Sequence, residues 1–189
     1  VTDPKIDLEG DNIGGLAGYV KLTGNLTVTG NVVSESGQEA TNKIVSEGSY
    51  VGGLIGKTEG VAIDFTKNIV VLSGDIAAGE QYVGGLTGDI KSTGVVTLGL
   101  GTDGGNAVAV ANIKAEDGSF AGGFVGNVAT TSNATPAVRV NFANVLVPGE
   151  ISATKYYAAG LIGQLASDAA GENRLNSANI KVGTIAATE

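Results

Sequence analysis

Val51-Gly52-Gly53-Leu54-Ile55-Gly56 is the stretch of this sequence that decides the fold, because close copies of it recur along the chain. The other copies lie at residues 13–18, 83–88, 121–126 and 158–163. The motif residues are Gly14, Gly15, Leu16, Gly18, Gly52, Gly53, Leu54, Gly56, Gly84, Gly85, Leu86, Gly88, Gly122, Gly123, Phe124, Gly126, Gly160, Leu161 and Gly163. In the fifth copy Ala159 replaces the first glycine. Five copies of one motif predict a single domain, residues 1–189, built of five similar units.

The spacing of the copies indicates units that stack. The second glycine stands at positions 15, 53, 85, 123 and 160, so successive units are 38, 32, 38 and 37 residues long. An aromatic residue lies two positions before the first glycine in four copies, and Asn12 takes that place in the first. Glycine provides positive φ angles and lets backbones approach closely. Matching side chains then form ladders if the units lie against each other, as in a solenoid.

The remaining sequence predicts short strands. Val138, Val140 and Phe142 alternate with more polar residues, which is the period of a strand with one buried face. A second element recurs, an asparagine followed by alternating apolar residues, at Asn68, Asn112, Asn144 and Asn179. Only residues 167–176 leave room for a short helical turn. We therefore expect an all-β, glycine-rich β-solenoid of the parallel β-helix type. The alternative is an antiparallel β-barrel or sandwich built from the same repeats.

Composition excludes several kinds of chemistry. The 189 residues include 31 glycines and no cysteine, methionine, tryptophan or histidine, so thiolate and imidazole chemistry is absent. Nineteen acidic against 11 basic residues give a net charge of −8, which argues against a nucleic-acid partner. No apolar run approaches the roughly 20 residues of a membrane-spanning helix, so no membrane insertion is expected. Because the chain begins at Val1, we expect a processed product or an excised fragment.

Residues 73–88, Ser-Gly-Asp-Ile-Ala-Ala-Gly-Glu-Gln-Tyr-Val-Gly-Gly-Leu-Thr-Gly, resemble the GLUG-motif repeat. That repeat is known from large bacterial surface proteins, including adhesins and segments attached to IgA-cleaving proteases. The resemblance implies an extracellular, repetitive β-structure with a structural or adhesive role and no catalysis of its own. The family's unit is shorter than the spacing here, and insertions occupy residues 35–41 and 99–109.

The two ends of the sequence suggest what the protein does. Residues 5–10 and 185–189 are strand-like, and neither segment has the polar character of a solenoid cap. We therefore expect a structural subunit of a surface filament, tube or sheath that assembles head to tail with itself, by stacking of open ends or strand donation. The alternative is an adhesin stalk or carbohydrate-binding module, with cell-surface glycans stacking on Tyr19, Tyr156 or the motif tyrosines. A polysaccharide-cleaving enzyme is a third hypothesis, but no acid pair stands out, so no catalytic residue is assigned.

A few residues are candidates for binding or modification. Asp7, Glu9 and Asp11 alternate along one extended segment, which would suit calcium but is more typical of a solvated strand edge. Asp103-Gly104-Gly105-Asn106 resembles a fragment of a calcium loop without its downstream glutamate, and Asp168 with Glu172 is a weaker acidic pair. Asn25 and Asn133 begin triplets that fit N-glycosylation. No other cofactor is expected.

Overall fold

The computed structural model is a β-solenoid of stacked parallel strands. The barrel or sandwich alternative is wrong. It describes residues 1–2, 4, 6–35, 43–99, 105–134, 137–167 and 173–188, without the side chains of Phe142 and Ser177. Every strand pairing in this part of the chain is parallel, and each strand pairs with its own equivalent one unit away. A barrel would instead require neighbouring strands of one unit to pair.

Each coil of the solenoid carries five short strand segments, which stack into five rows. The first row contains β1 (Ile6–Leu8), β6 (Ile44–Ser46), β11 (Ile76–Ala78) and β16 (Ile113–Ala115). The second contains β2 (Ile13–Gly14), β7 (Val51–Gly52), β12 (Val83–Gly84), β17 (Phe120–Gly122) and β20 (Tyr157–Ala159). The third contains β3 (Ala17–Lys21), β8 (Ile55–Gly60), β13 (Thr87–Ser92), β18 (Val125–Thr130) and β21 (Ile162–Ser167).

The fourth row contains β4 (Leu26–Thr29), β9 (Ile63–Thr66) and β14 (Val96–Leu98), and the fifth contains β5 (Val32–Ser34), β10 (Ile69–Val71) and β15 (Ala107–Ala109). Two long strands, β19 (Val138–Ala153) and β22 (Arg174–Ala187), pass around the corners and complete the fourth, fifth and first rows. From the first motif copy to the fifth, the chain makes four turns.

The core consists of ladders of identical or similar side chains. Leu54, Leu86 and Phe124 of successive motif copies are completely buried, as the stacking prediction required. The first row contributes a second ladder of buried isoleucines, Ile44, Ile76, Ile113 and Ile151. Each such side chain contributes about 1.5–3 kcal/mol through removal from water. Since one coil alone cannot cover these side chains, the ladders stabilise the stack as a whole.

The motif glycines serve close packing, and the predicted positive φ angles are not found at them. A Cβ on Gly53 would lie 2.2 Å from the carbonyl oxygen of Gly85 in the next turn. A Cβ on Gly88 would lie 2.7 Å from the carbonyl oxygen of Gly56 in the previous turn. Positive φ occurs instead at the residue before the motif, at Asn12 and Tyr50, with φ near 60° in both.

Two further expectations from the sequence are wrong. The four asparagines of the second element do not share a row, because Asn68 precedes the fifth row, Asn112 precedes the first, and Asn144 and Asn179 lie within the fifth. The glycine turns that follow Asn68, Asn144 and Asn179 do occupy equivalent positions, because each leads into an isoleucine of the first row. The predicted helical turn at 167–176 is absent from its described part, where Ser167 ends one strand and Arg174 begins the next. Residues 168–172 lie outside the described part.

Candidate functional site

The first coil exposes side chains that are buried in every inner coil. Leu16 is 48% exposed, whereas its equivalents Leu54 and Leu86 are fully buried. Leu8, at the end of β1, is also exposed. These side chains lack the covering turn that lies over their inner equivalents among the described residues, so this face is an open cross-section of the core.

The last coil exposes apolar side chains of other ladders, while Leu161, the last member of the Leu16 ladder, is only 9% exposed. Leu175, Ile180 and Ile185 are 59%, 40% and 50% exposed, and all three lie on β22. Their neighbours one turn away, Val140, Val145 and Ile151, are at most 3% exposed. The described chain places no strand against the outer edges of β20, β21 and β22. An open parallel edge with apolar side chains behind it is a surface that pairs readily with another strand.

The predicted calcium ligands do not form a cluster. The strand β1 ends at Leu8, and residues 9–11 lie in bends, so the three carboxylates do not alternate along one strand. Asp7 is in an ion pair with Lys43, and the Asp11 carboxylate accepts a hydrogen bond of 2.7 Å from the amide of Ser49. Among the described residues, no three acidic side chains are close enough to share a metal ion. Calcium binding stays a prediction.

The other predicted sites are only partly visible. Asn106 is buried, where it bonds to Asn68, and so it cannot serve as an exposed loop ligand. Asp103, Gly104, Asp168 and Glu172 lie outside the described part of the chain. Asn25 and Asn133 are both exposed, as glycosylation would require, although Asn25 also accepts a hydrogen bond from the amide of Ala62.

An aromatic ladder runs along one side of the solenoid. Tyr50 stacks on Tyr82 with ring centroids 5.3 Å apart, and Tyr82 stacks on Phe120 at 5.1 Å. Tyr156 and Tyr157 continue the ladder and are exposed at the last coil. At the other end the ammonium of Lys57 lies 4.6 Å from the centre of the Tyr50 ring. Of the rings in this ladder, Tyr156 and Tyr157 are the most exposed, at 59% and 54%. Tyr19, also exposed, lies outside the ladder, with the ammonium of Lys57 5.4 Å from its ring centre.

A polar row beside this ladder was not recognised from the sequence. Its members pair across the third row, and each stands four positions after the second motif glycine; they are Tyr19, Lys57, Asp89, Asn127 and Gln164. That constant offset is the signal that would have revealed it. Two positions further along the strands, Lys21, Glu59 and Lys91 form a parallel row.

Glu59 is the most strongly paired of these groups. Its carboxylate lies 3.1 Å from the ammonium of Lys21 and 3.3 Å from that of Lys57. Burial raises the pKa of Glu59, but hydrogen bonds from Tyr19, Lys21 and Lys57 outweigh burial and lower the pKa to about 2. The cluster therefore stays charged under ordinary conditions and fixes the polar surface of the first two coils.

Asp89 is the buried member of the polar row. One carboxylate oxygen accepts a 2.7 Å hydrogen bond from the side-chain amide of Asn127, and the other has no hydrogen-bond partner among the described residues. Burial raises the pKa of Asp89, an effect that the Asn127 hydrogen bond and the nearby Lys91 and Lys57 oppose. This arrangement is costly for a carboxylate and can be tested by substitution.

The described surface has open grooves in place of a deep pocket. A groove of about 520 Å³ passes between Lys21, Glu59 and Lys91 and reaches the turn at Gly60. A second, of about 380 Å³, lies beside Lys43, Asp75 and Glu116. The part of the chain that the structure describes includes no helix long and apolar enough to cross a membrane.

Comparison of the chain with protein-family models, curated proteins and solved structures finds no match in any of the three. The fold places the protein in the class of parallel β-solenoids, and its function has to be argued from the surfaces above.

Proposed function

We propose that this protein is an extracellular structural subunit that assembles head to tail into a filament, tube or sheath. The observation that carries this proposal is the uncovering of the core at both faces of the stack. Leu16 is about half exposed on the first coil, and Leu175, Ile180 and Ile185 are between 40% and 59% exposed on the last, whereas their equivalents in the inner coils are buried. Exposed apolar surface of this kind marks an interaction site. A second copy offers ladders of the same composition and spacing.

The two faces are different surfaces, because one is the outer edge of β1, β2 and β3 and the other is the outer edge of β20, β21 and β22. A contact between one face and the other is heterologous and builds an open array unless its rotation closes a ring.

The extracellular location rests on the resemblance to GLUG-motif repeats of bacterial surface proteins. The lack of cysteine and methionine is consistent with it, because the side chains most easily oxidised are missing. Labelling of intact producing cells with an antibody against the chain tests the location. Labelling that appears only after the cells are opened would contradict it.

Electron microscopy and sedimentation of the purified, undenatured chain test assembly. We expect ordered polymers for the native chain and monomers for Ile185→Lys, because Ile185 is 50% exposed on the last coil and the new charge would lie on the uncovered core. The matched control is Leu146→Lys, because Leu146 is similarly exposed at 48% but lies on the lateral surface, and this variant should assemble normally. Monodisperse native protein would overturn the proposal. Adding a calcium chelator to the native sample tests the separate calcium prediction.

A second candidate function is glycan binding, with the adhesin stalk or carbohydrate-binding module as its setting. The observation that favours it is the pair of exposed rings, Tyr156 and Tyr157, at the end of the aromatic ladder. Sugar rings stack on exposed aromatic rings. The monomeric Ile185→Lys variant should then bind glycans on an array, and a Tyr156→Ala substitution added to it should abolish the signal.

A further inference from the structure

The first glycine of each motif leaves space for the backbone of the next turn. A Cβ on Gly52 would lie 2.7 Å from the Cα of Thr87, and one on Gly122 would lie 2.7 Å from the amide nitrogen of Gly163. Gly14 and Gly84 have next-turn backbone atoms at similar distances. Real Cβ atoms do not approach other atoms so closely. The carbonyl oxygen three residues later in the same turn is nearer still, at 2.1 Å for Gly52 and 2.0 Å for Gly122, so glycine is required by its own turn as well as by the next one.

The fifth copy breaks this glycine row at Ala159. In the other four copies a methyl group at this position would meet the backbone of its own turn and of the next, so the bend after Ala159 cannot repeat their geometry. We therefore expect a further turn to stack less closely on β20 and β21 than the inner turns stack on each other.

The outer edge of β22 has no such obstacle. In the first row, the carbonyl of the third residue accepts a hydrogen bond from the next turn, as Ser46 accepts from Gly79 and Ala78 from Glu116, both at 2.8 Å. Ala187 is the equivalent residue of β22, so its carbonyl and amide point outward. The half-exposed side chain of Ile185 lies beside them.

The first coil presents a matching edge. Residues 1–2 lie on β5, with a 2.9 Å hydrogen bond from the amide of Ser34 to the carbonyl of Val1, and β1 lies on β6. Residues 1–2 thus lie in the fifth row and residues 6–8 in the first, as residues 180–181 and 185–187 do on the last coil. Both edges have the same rows and the same direction.

We propose that a second copy of the chain adds its residues 1–8, as parallel strands, to the outer edge of residues 180–187. This inference rests on the proposed self-assembly and specifies its joint. Continuing the register of the first row places Ile6 beside Ile185, Asp7 beside Ala186 and Leu8 beside Ala187 of the neighbour. The amides of Asp7 and Glu9 then donate to the carbonyls of Ile185 and Ala187. At this joint, Ala159 keeps the motif rows of the two copies from stacking closely.

Substitution of Ala187 tests the edge. In Ala187→Pro the ring removes an amide that faces outward, so the intramolecular pairing with β19 is retained while the joint is blocked. We expect at least a tenfold rise in the concentration needed for assembly, with an unchanged melting temperature of the monomer. The matched control is Ala187→Ser, which should assemble like the native chain. Serine fits this position of the first row, because Ser46 occupies it in the second coil.

A cross-link tests the register without relying on the proline variant. Because the chain has no cysteine, the double variant Asp7→Cys/Ala186→Cys introduces the only thiols. Within one copy these positions are five strand spacings apart, about 24 Å, which is too far for a disulfide. Between copies they are neighbours in the proposed joint. Air oxidation with a copper catalyst should therefore give a ladder of covalent oligomers on a non-reducing gel.

The comparison pair Asn12→Cys/Tyr157→Cys would cross-link only if the motif rows stacked directly. A ladder from this pair and none from the first pair would overturn the proposed joint while leaving self-assembly intact. Normal assembly of Ala187→Pro would also overturn it. Absence of polymers in the native chain would instead refute the proposed function itself.

Discussion

At the scale of single residues, Asp89 is the group whose environment fits its charge least well. The side chain is fully buried, one oxygen lacks a partner among the described residues, and burial raises its pKa above 3.8. A raised carboxyl pKa means that the folded state holds the proton more tightly than the unfolded state. Stability from this group is therefore present below pH 3.8 and is lost as pH rises towards the folded pKa.

We predict that Asp89→Asn stabilises the protein at pH 7 by about 1 kcal/mol, because it removes a buried charge and keeps the polar shape. The gain should vanish near pH 3.5, where the native carboxyl is protonated in both states. Urea unfolding at the two pH values measures it. The control is Asp117→Asn, an exposed acid that should change little at either pH. A loss of stability at pH 7 would show that the charged carboxylate has a stabilising partner besides Asn127.

Glu59 has the opposite pH dependence. Its pKa falls from 4.5 to about 2 through contacts with Tyr19, Lys21 and Lys57, against the effect of burial. A lowered pKa contributes stability that is complete above pH 4.5 and is lost as pH falls through about 2. Glu59→Gln should therefore cost about 1 kcal/mol at pH 7, a value in the range of partly exposed ion pairs.

The native and Glu59→Gln proteins should become equally stable near pH 2. Thermal unfolding between pH 7 and pH 2 checks this convergence. Glu116→Gln serves as the control, since Glu116 is exposed and forms none of the described ion pairs. A constant difference between native and variant across the whole pH range would contradict the ion-pair explanation.

Sequence reasoning located the motif residues but not this polar cluster. The recurrence of Gly53 and Leu54 is visible without a structure because identical residues repeat. The third-row positions repeat in place but not in type, changing from Tyr19 to Lys57 to Asp89. Their interactions depend on which unit lies next to which, and that order becomes meaningful only once the parallel register is established.

At the scale of structural elements, an asparagine ladder supports the corner between the fourth and fifth rows. The side-chain amide of Asn68 donates to Asn106 at 3.0 Å, and that of Asn31 donates to Asn68 at the same distance. The Asn68 amide also donates to the carbonyl of Val28. The ladder ends one turn later, where Ala143 takes the position.

Asn68→Ala should destabilise the protein by about 2–4 kcal/mol, because it leaves several buried donors and acceptors unpaired at once. Asn31→Ala should cost less than half as much, since Asn31 is at the partly exposed end of the ladder. Equilibrium denaturation of both variants measures the difference. Equal effects of the two substitutions would indicate that burial of the ladder adds nothing to the free energy of unfolding.

The misassigned asparagines show why element order was harder to predict than element type. Asn68 and Asn112 both precede an apolar strand, yet they introduce different rows. Short strands of three residues carry too little sequence to identify their row. The strand type follows from alternation, whereas the row follows only from pairing with the next turn.

At the scale of the whole molecule, the sequence could not separate a solenoid from a barrel. Repeated motifs and alternating strands are common to both. Parallel pairing of each strand with its equivalent decides for the solenoid, and it also creates two open faces. The stability of such a stack is the sum of the free energy of each coil and of its contacts with neighbouring coils. A coil at a free face has one neighbour fewer and is therefore less stable.

We predict that hydrogen exchange in the monomeric Ile185→Lys variant is slowest in β7, β8, β12 and β13, which have strands on both sides. Protection should decline towards β3 and β21, at the two faces. In native polymers, residues 1–8 and 180–187 should gain at least tenfold protection, because the joint pairs their outward amides. The outer edge of β21 should gain much less, since Ala159 keeps another turn from stacking closely on it. Equal gains along both edges would mean that the copies stack through all five rows.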